Sequence, residues 1–113
     1  NCSIGHNLHI SACELIKIGS NSTVSSNVFI GSLNHSFNDL SLSAMEQPLI
    51  CKKTYIGRNC FIGTGAVILP GSVLGRNCIV GANSVVKGHY EDNSIIVGSP
   101  AKVIGTTAKK NLL

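Results

Sequence analysis

The chain has 113 residues, a net charge of +4, only 4% aromatic and 12% charged residues, which fits one domain and weighs against several classes. No Lys/Arg run interleaved with aromatics is present, so a nucleic-acid surface lacks support, and no apolar run approaches a membrane span. So few aromatics are unusual for a globular core of this size, while the modest positive balance is compatible with a small anionic ligand such as one carrying phosphates. The chain opens at Asn1 in mid-pattern without Met. That leaves room for residues before it and takes weight from the absence of a signal peptide.

In chain order, a loose six-residue period comes first, from Ser3 to Gly31. Ile4-Gly5 is followed by Asn7, and Ile18-Gly19, Val24 and Ile30-Gly31 resume the beat with Asn21 and Asn27 three places on. Ile10 and Ile18 are eight apart, so about two extra residues lie within Ala12 to Leu15. These early coils are expected to be less regular, and an open solenoid end needs a cover.

From Ser32 to Thr54 the period fails. This insert is polar and carries Asp39, Glu46, Pro48 and Cys51, and it opens on Asn34-His35 just after Phe29-Ile30-Gly31. A long irregular insertion on a rigid scaffold is where function concentrates.

From Tyr55 to Val86 the period is strict. Aliphatics recur at Ile56, Ile62, Ile68, Leu74, Val80 and Val86. Three places after them come Asn59, Gly65, Gly71, Asn77 and Asn83, and four places after them the small residues Cys60, Ala66, Ser72, Cys78 and Ser84. Neither a strand period of two nor a helical 3.6 fits; a short internal repeat does. The aliphatic and the small residue both point inward, the small one near a corner. The Asn or Gly position demands φ > 0, which Gly adopts freely and Asn tolerates. Three such faces close a triangular coil, and successive coils pair as parallel strands roughly 4.7–4.9 Å apart. The fold class is therefore all-β, a parallel β-solenoid.

After Val86, Lys87 to Asp92 reads as a turn or short loop, Ser94 to Gly98 as a strand, and Ser99-Pro100-Ala101-Lys102 as a bend. Thr106 to Leu113 reads as a short helix capping the last coil, the cap as a whole covering about 99–113. Of the five cysteines, Cys60 and Cys78 are eighteen apart and stack inside the coil. They fill the register that Ala and Ser fill elsewhere, so all thiols are expected to be reduced, as in a cytoplasm. The glycosylation-like triplets at Asn1, Asn21 and Asn34 follow from the frequency of Asn in the repeat. Gly63-Thr64-Gly65 lacks the third Gly and the strand-then-helix setting of a dinucleotide loop.

Four stretches carry a resemblance across roughly residues 18 to 105: NHSFND, IGRNCFIGTGAVILPGSVLG, NCIVGANSVV and VGSPAKVIG. The sequence resembles the hexapeptide-repeat acyltransferases, and within them the sugar O-acetyltransferases. The resemblance implies a left-handed parallel β-helix, against the usual right-handed crossover. It also implies a cytoplasmic homotrimer that binds acetyl-CoA between subunits and moves the acetyl group to a sugar hydroxyl, in bacterial surface polysaccharide synthesis, with no metal. His35 matches the family histidine. A hydroxyl needs a base to take its proton, and imidazole suits that task near neutral pH. The oxyanion needs a donor, for which Asn34 or a backbone N–H is the candidate. Asp39 and Glu46 are expected either to orient His35 or to bind sugar hydroxyls. Thr64 and Ala82 match contacts to the pantetheine arm, and Lys102 matches the residue that meets the nucleotide phosphates. Lys87 matches the lysine that follows the Val-Val pair, shifted by one position. His6, His9 and His89 read as surface residues.

Three alternatives share the repeat. A serine O-acetyltransferase is separated by its acceptor. A carbonic anhydrase of this fold needs histidines set around zinc, for which His6 and His9 are poorly spaced. A non-catalytic scaffold has no use for His35 at the mouth of the insert or for basic residues after the coils.

Overall fold

A computed structural model describes residues 1–108. The first coil comprises β1 (Ser3–Ile4), β2 (His9–Ser11) and β3 (Ile16–Ile18). The second starts with β4 (Thr23–Val24) and β5 (Phe29–Gly31), leaves the helix as β6 (Leu33–His35), returns as β7 (Leu49–Cys51), and closes with β8 (Thr54–Ile56). The third is β9 (Phe61–Ile62), β10 (Val67–Ile68) and β11 (Val73–Leu74), and the fourth β12 (Ile79–Val80), β13 (Val85–Val86) and β14 (His89–Tyr90). β15 (Ser94–Gly98) begins a fifth coil, and β16 (Ala101–Thr106) folds back on it.

Stacking these coils makes three parallel sheets, one per face: β1-β4-β9-β12-β15, β2-β5-β10-β13 and β3-β8-β11-β14. The register reports each coil's length directly. Val67 pairs with Val85, a step of eighteen. Ser3 pairs with Thr23, two more, as the spacing around Ala12 to Leu15 predicts. Thr23 pairs with Phe61, one regular coil plus a twenty-residue insert. Val73 pairs with His89, two fewer, because the corner at Lys87-Gly88 is short.

The inward register is as expected. Ile56, Ile62, Ile68, Leu74, Val80 and Val86 are buried, as are Cys60, Ala66, Ser72, Cys78 and Ser84. The corner residues Asn59, Gly65, Gly71, Asn77 and Asn83 have φ of 56°, 73°, 84°, 59° and 58°. At one corner the Asn side chains also form a ladder: Asn59 Nδ2 donates to Asn77 Oδ1 at 2.8 Å, and Asn77 Nδ2 to Asn93 Oδ1 at 3.0 Å. Ile4 and Ile10 of the first coil stay about half exposed, because no coil lies beneath them among the described residues.

Three expectations need correction. The cap is a β-hairpin as far as it is described: Thr106 ends β16 and Thr107 and Ala108 form a turn where the expected helix was to begin, and residues 109–113, where the rest of that helix falls, lie outside the described residues. VGSPAKVIG is two β-prone runs about a Ser-Pro turn, so the chain doubles back and pairs with itself. His89-Tyr90, read as loop, is the strand β14, and the Tyr90 hydroxyl donates to the Lys87 carbonyl at 3.1 Å, packing the ring over the end of the core.

The third correction concerns the thiols. Cys13 and Cys51 form a disulfide, with Cα atoms 5.8 Å apart. Both lie in the aperiodic segments, so the repeat gives no hint of their meeting. Cys60 and Cys78 are free and buried; the neighbouring Cys78 thiol, together with burial, holds the Cys60 thiol above its ordinary pKa. Thiol titration of the unfolded, unreduced protein is therefore expected to find three thiols. Loop closure gives such a bridge a worth of roughly 2–4 kcal/mol, so Cys51→Ser should lower the unfolding midpoint clearly. An unchanged midpoint with five titrating thiols would show the pair to be reduced.

Candidate functional site

The corners of the coil differ in what they carry. Where the β9 face turns into the β10 face, Thr64 and Ala82 stack, and the Asn83 N–H donates to the Thr64 carbonyl at 2.8 Å. A Cβ added to Gly63 would stand 2.7 Å from the Ala82 amide, so backbone meets backbone here without side chains. The C-terminal hairpin continues this edge. The Gly98 N–H donates to Ser84 Oγ at 3.1 Å, Lys102 pairs with Val97, and the Val97 side chain lies over Gly81. Thr64, Ala82 and Lys102, three of the four residues matched to the cofactor, thus share one exposed edge.

The next corner, where the β10 face turns into the β11 face, carries the insert. Its root is tied by two buried hydroxyls. Ser32 Oγ accepts from the Cys13 and Glu14 amides at 3.2 and 3.1 Å and donates to the Glu14 carbonyl at 2.8 Å. Thr54 Oγ1 donates to the Gly31 carbonyl at 2.8 Å and accepts from the Gly71 amide at 3.1 Å. Between them β6 and β7 pair antiparallel, placing Leu33 opposite Cys51 and His35 opposite Leu49. The Cys13–Cys51 bond pins this ribbon to the first coil two residues from His35. Beyond the ribbon, buried Gln47 holds the loop: its Nε2 donates to the carbonyls of Asp39 at 2.8 Å and Leu42 at 3.2 Å.

His35 is half-buried. Its Nδ1 is fully buried and makes no hydrogen bond among the described residues. It lines a cleft of about 160 Å³ together with Asn34, Phe37, Ile50, Lys52, Pro70 and Lys87. Asn34 therefore stands beside His35, as expected. Lys87 lines this cleft too, and so lies one corner away from Thr64 and Ala82 rather than beside them.

Asp39 and Glu46 do not approach His35 through any hydrogen bond among the described residues. Asp39 accepts from the Ser41 hydroxyl and amide at 2.6 and 3.0 Å, which hold its carboxyl below the ordinary range. Glu46 accepts from the Ser43 hydroxyl and amide at 2.9 and 3.1 Å, with the same result. Sequence reasoning passed over Lys52 and Phe37. Phe37 was visible in NHSFND and Lys52 at the foot of the insert, but nothing periodic locates either. His6, His9 and His89 are exposed, and no group of three or more metal-ligating side chains gathers among the described residues.

Comparisons with known proteins bear on this arrangement. Residues 53–88 match the bacterial transferase hexapeptide (six repeats) family. WbbJ of Escherichia coli (strain K12), provisionally named a lipopolysaccharide biosynthesis O-acetyl transferase, is 33% identical over 92% of this chain and 57% of its own length. A galactoside acetyltransferase in complex with coenzyme A superposes with a TM-score of 0.82 at 29% identity, covering 93% of this chain and 55% of that one. A maltose O-acetyltransferase from Clostridium difficile 630 does so with a TM-score of 0.73 at 32% identity, covering 93% and 58%. The chain spans between 30% and 57% of the length of the curated relatives it matches. The repeat matched over residues 53–88, the coil register and the overlap with these structures give the chain the fold of the hexapeptide-repeat transferases, a left-handed parallel β-helix.

Proposed function

We propose that this protein transfers an acetyl group from acetyl-CoA to a hydroxyl of a sugar, with His35 as general base. What carries the reading is the overlap of 93% of the chain with a galactoside acetyltransferase that holds coenzyme A; His35 lining a cleft at the root of the insert supports it. The acceptor oxygen attacks the acetyl carbonyl carbon while His35 takes the hydroxyl proton. Nδ1 is buried, so Nε2 is the nitrogen left to meet the acceptor. The C=O electron pair moves onto oxygen, where the Asn34 side chain or a backbone N–H stabilises it. Collapse reforms the carbonyl and breaks the C–S bond, and the CoA thiolate leaves with the proton from His35.

Donor and acceptor residues occupy different corners of one coil, so a complete site needs two copies. A closed ring of three brings the His35 corner of one subunit against the Thr64–Ala82–Lys102 edge of the next. The acetylated sugar belongs, on this reading, to a surface polysaccharide, by likeness to the relative named for lipopolysaccharide biosynthesis. The reaction is placed in the cytoplasm, where acetyl-CoA is found; no helix among the described residues is long and apolar enough to cross a membrane.

The test is release of free CoA that depends on an added sugar, with the sugar gaining one acetyl group by mass. Transfer to free serine in preference to every sugar would move the protein to serine acetylation, and no transfer to any hydroxyl would end the reading. Lys102 supplies a check on the donor half. Charge-assisted contacts are worth about 1.5–3 kcal/mol, so Lys102→Ala should weaken acetyl-CoA by that amount and leave acetyl-pantetheine unaffected. Equal loss for both donors would remove Lys102 from the phosphates.

A further inference from the structure

The His35 cleft is cationic. Lys52 and Lys87 both line it, and no carboxylate does. Among the described residues the one ion pair is Arg76–Asp92, at another corner, so neither lysine is neutralised there. The two acids of the insert are turned onto their own neighbours, Asp39 onto Ser41 and Glu46 onto Ser43.

Lys52 is also held in place. Its backbone N–H donates to the Ser32 carbonyl at 2.8 Å. Its stem lies across Gly71, where an added Cβ would come 3.1 Å from Lys52 Cδ and where φ is +84°. A side chain at residue 71 would push the lysine away and would itself be strained. Around these charges Phe37, 73% exposed, and Ile50, 41% exposed, provide apolar surface.

This chemistry selects among acceptors. A neutral sugar presents hydroxyl hydrogens and is well served by carboxylates and amides. An ammonium has three donors and no acceptor, and its strong partners are oxyanions. We propose that the acceptor bound beside His35 is an anionic sugar, whose carboxylate or phosphate is held by Lys52 and Lys87 while its ring rests on Phe37 and Ile50. The proposal rests on the reading of this cleft as the acceptor site.

The experiment measures binding without acetyl-CoA, so it does not depend on turnover. The full chain is titrated with glucuronic acid, glucose 6-phosphate and glucose while the His35 ring signals are followed by NMR. The two acids are expected to move those signals and glucose at equal concentration is not; the tighter of the two tells carboxylate from phosphate. Lys52→Ala and Lys87→Ala should each weaken the acid about tenfold, the worth of one charge-assisted hydrogen bond. Glucose binding as tightly as the acids, neither acid moving the signals, or acid binding unchanged in both variants would overturn the proposal. A second arm compares acetyl-CoA with acetyl-pantetheine in the same variants. A loss confined to acetyl-CoA would assign the lysines to the donor phosphates and overturn it as well. Robust transfer to a neutral sugar with an unchanged KM in Lys52→Ala would remove the anion while leaving the transferase reading intact.

Discussion

His35→Asn is expected to lower sugar acetylation by about 10²–10⁴-fold, the usual worth of a positioned general base. Asparagine is polar and of similar size, and the ribbon is held by backbone pairing with Leu49 rather than by the imidazole. Ser32, Thr54 and the Cys13–Cys51 bond keep the root of the insert in place independently. Folding, subunit assembly and acetyl-CoA binding should therefore be close to those of the parent, and the loss should appear in kcat. Replacing His6, His9 or His89, all exposed and outside the cleft, should do far less. Near-normal turnover of the His35→Asn protein on its true acceptor would mean that another group takes the proton.

Ile62→Asp is expected to abolish folding. Ile62 is fully buried, and its strand β9 lies between β4 and β12 in the stack. A carboxylate there has coils above and below and no route to water, and burying an unpaired charge costs several kcal/mol even after it neutralises. That is a large part of the about 5–15 kcal/mol that holds a typical domain. Arg58→Ala, at an exposed corner residue, should be mild. Circular dichroism and gel filtration compare the two directly, and equal tolerance would contradict the inward register.

The register was legible because it is local and repeated. Every six residues the same choice recurs, an aliphatic inside and Asn or Gly at the corner, so each coil confirms the last. Asn77 and Asn83 carry positive φ for a reason visible in one repeat. The two-residue excess in the first coil could be counted for the same reason. What depends on contacts distant in sequence was not legible. Cys13 meets Cys51 only because the insert returns to the coil directly above the first bend. Lys52 and Phe37 reach His35 through the path of an aperiodic loop, and Asp39 and Glu46 turn away because Ser41 and Ser43 are nearer partners. The hairpin at the C-terminus was read only as a strand and a bend, because its second strand is called up by the outermost coil, whose open backbone groups β16 takes up.

The confinement of the insert to one corner bears on how such a protein diversifies. Both strands that bound it belong to the regular stack, with Gly31 before it and Thr54 after it sharing one hydrogen bond. Provided Ser32 and Cys51, which tie the insert to the first coil, are kept, the span between them can lengthen, shorten or be exchanged for that of a relative without disturbing a single coil. On the proposed reading, selection can thus retool what is acetylated while leaving the acetyl source untouched. In the laboratory, a chimera grafted between Ser32 and Cys51 would be expected to inherit the acceptor preference of the loop's parent and the donor affinity of its host.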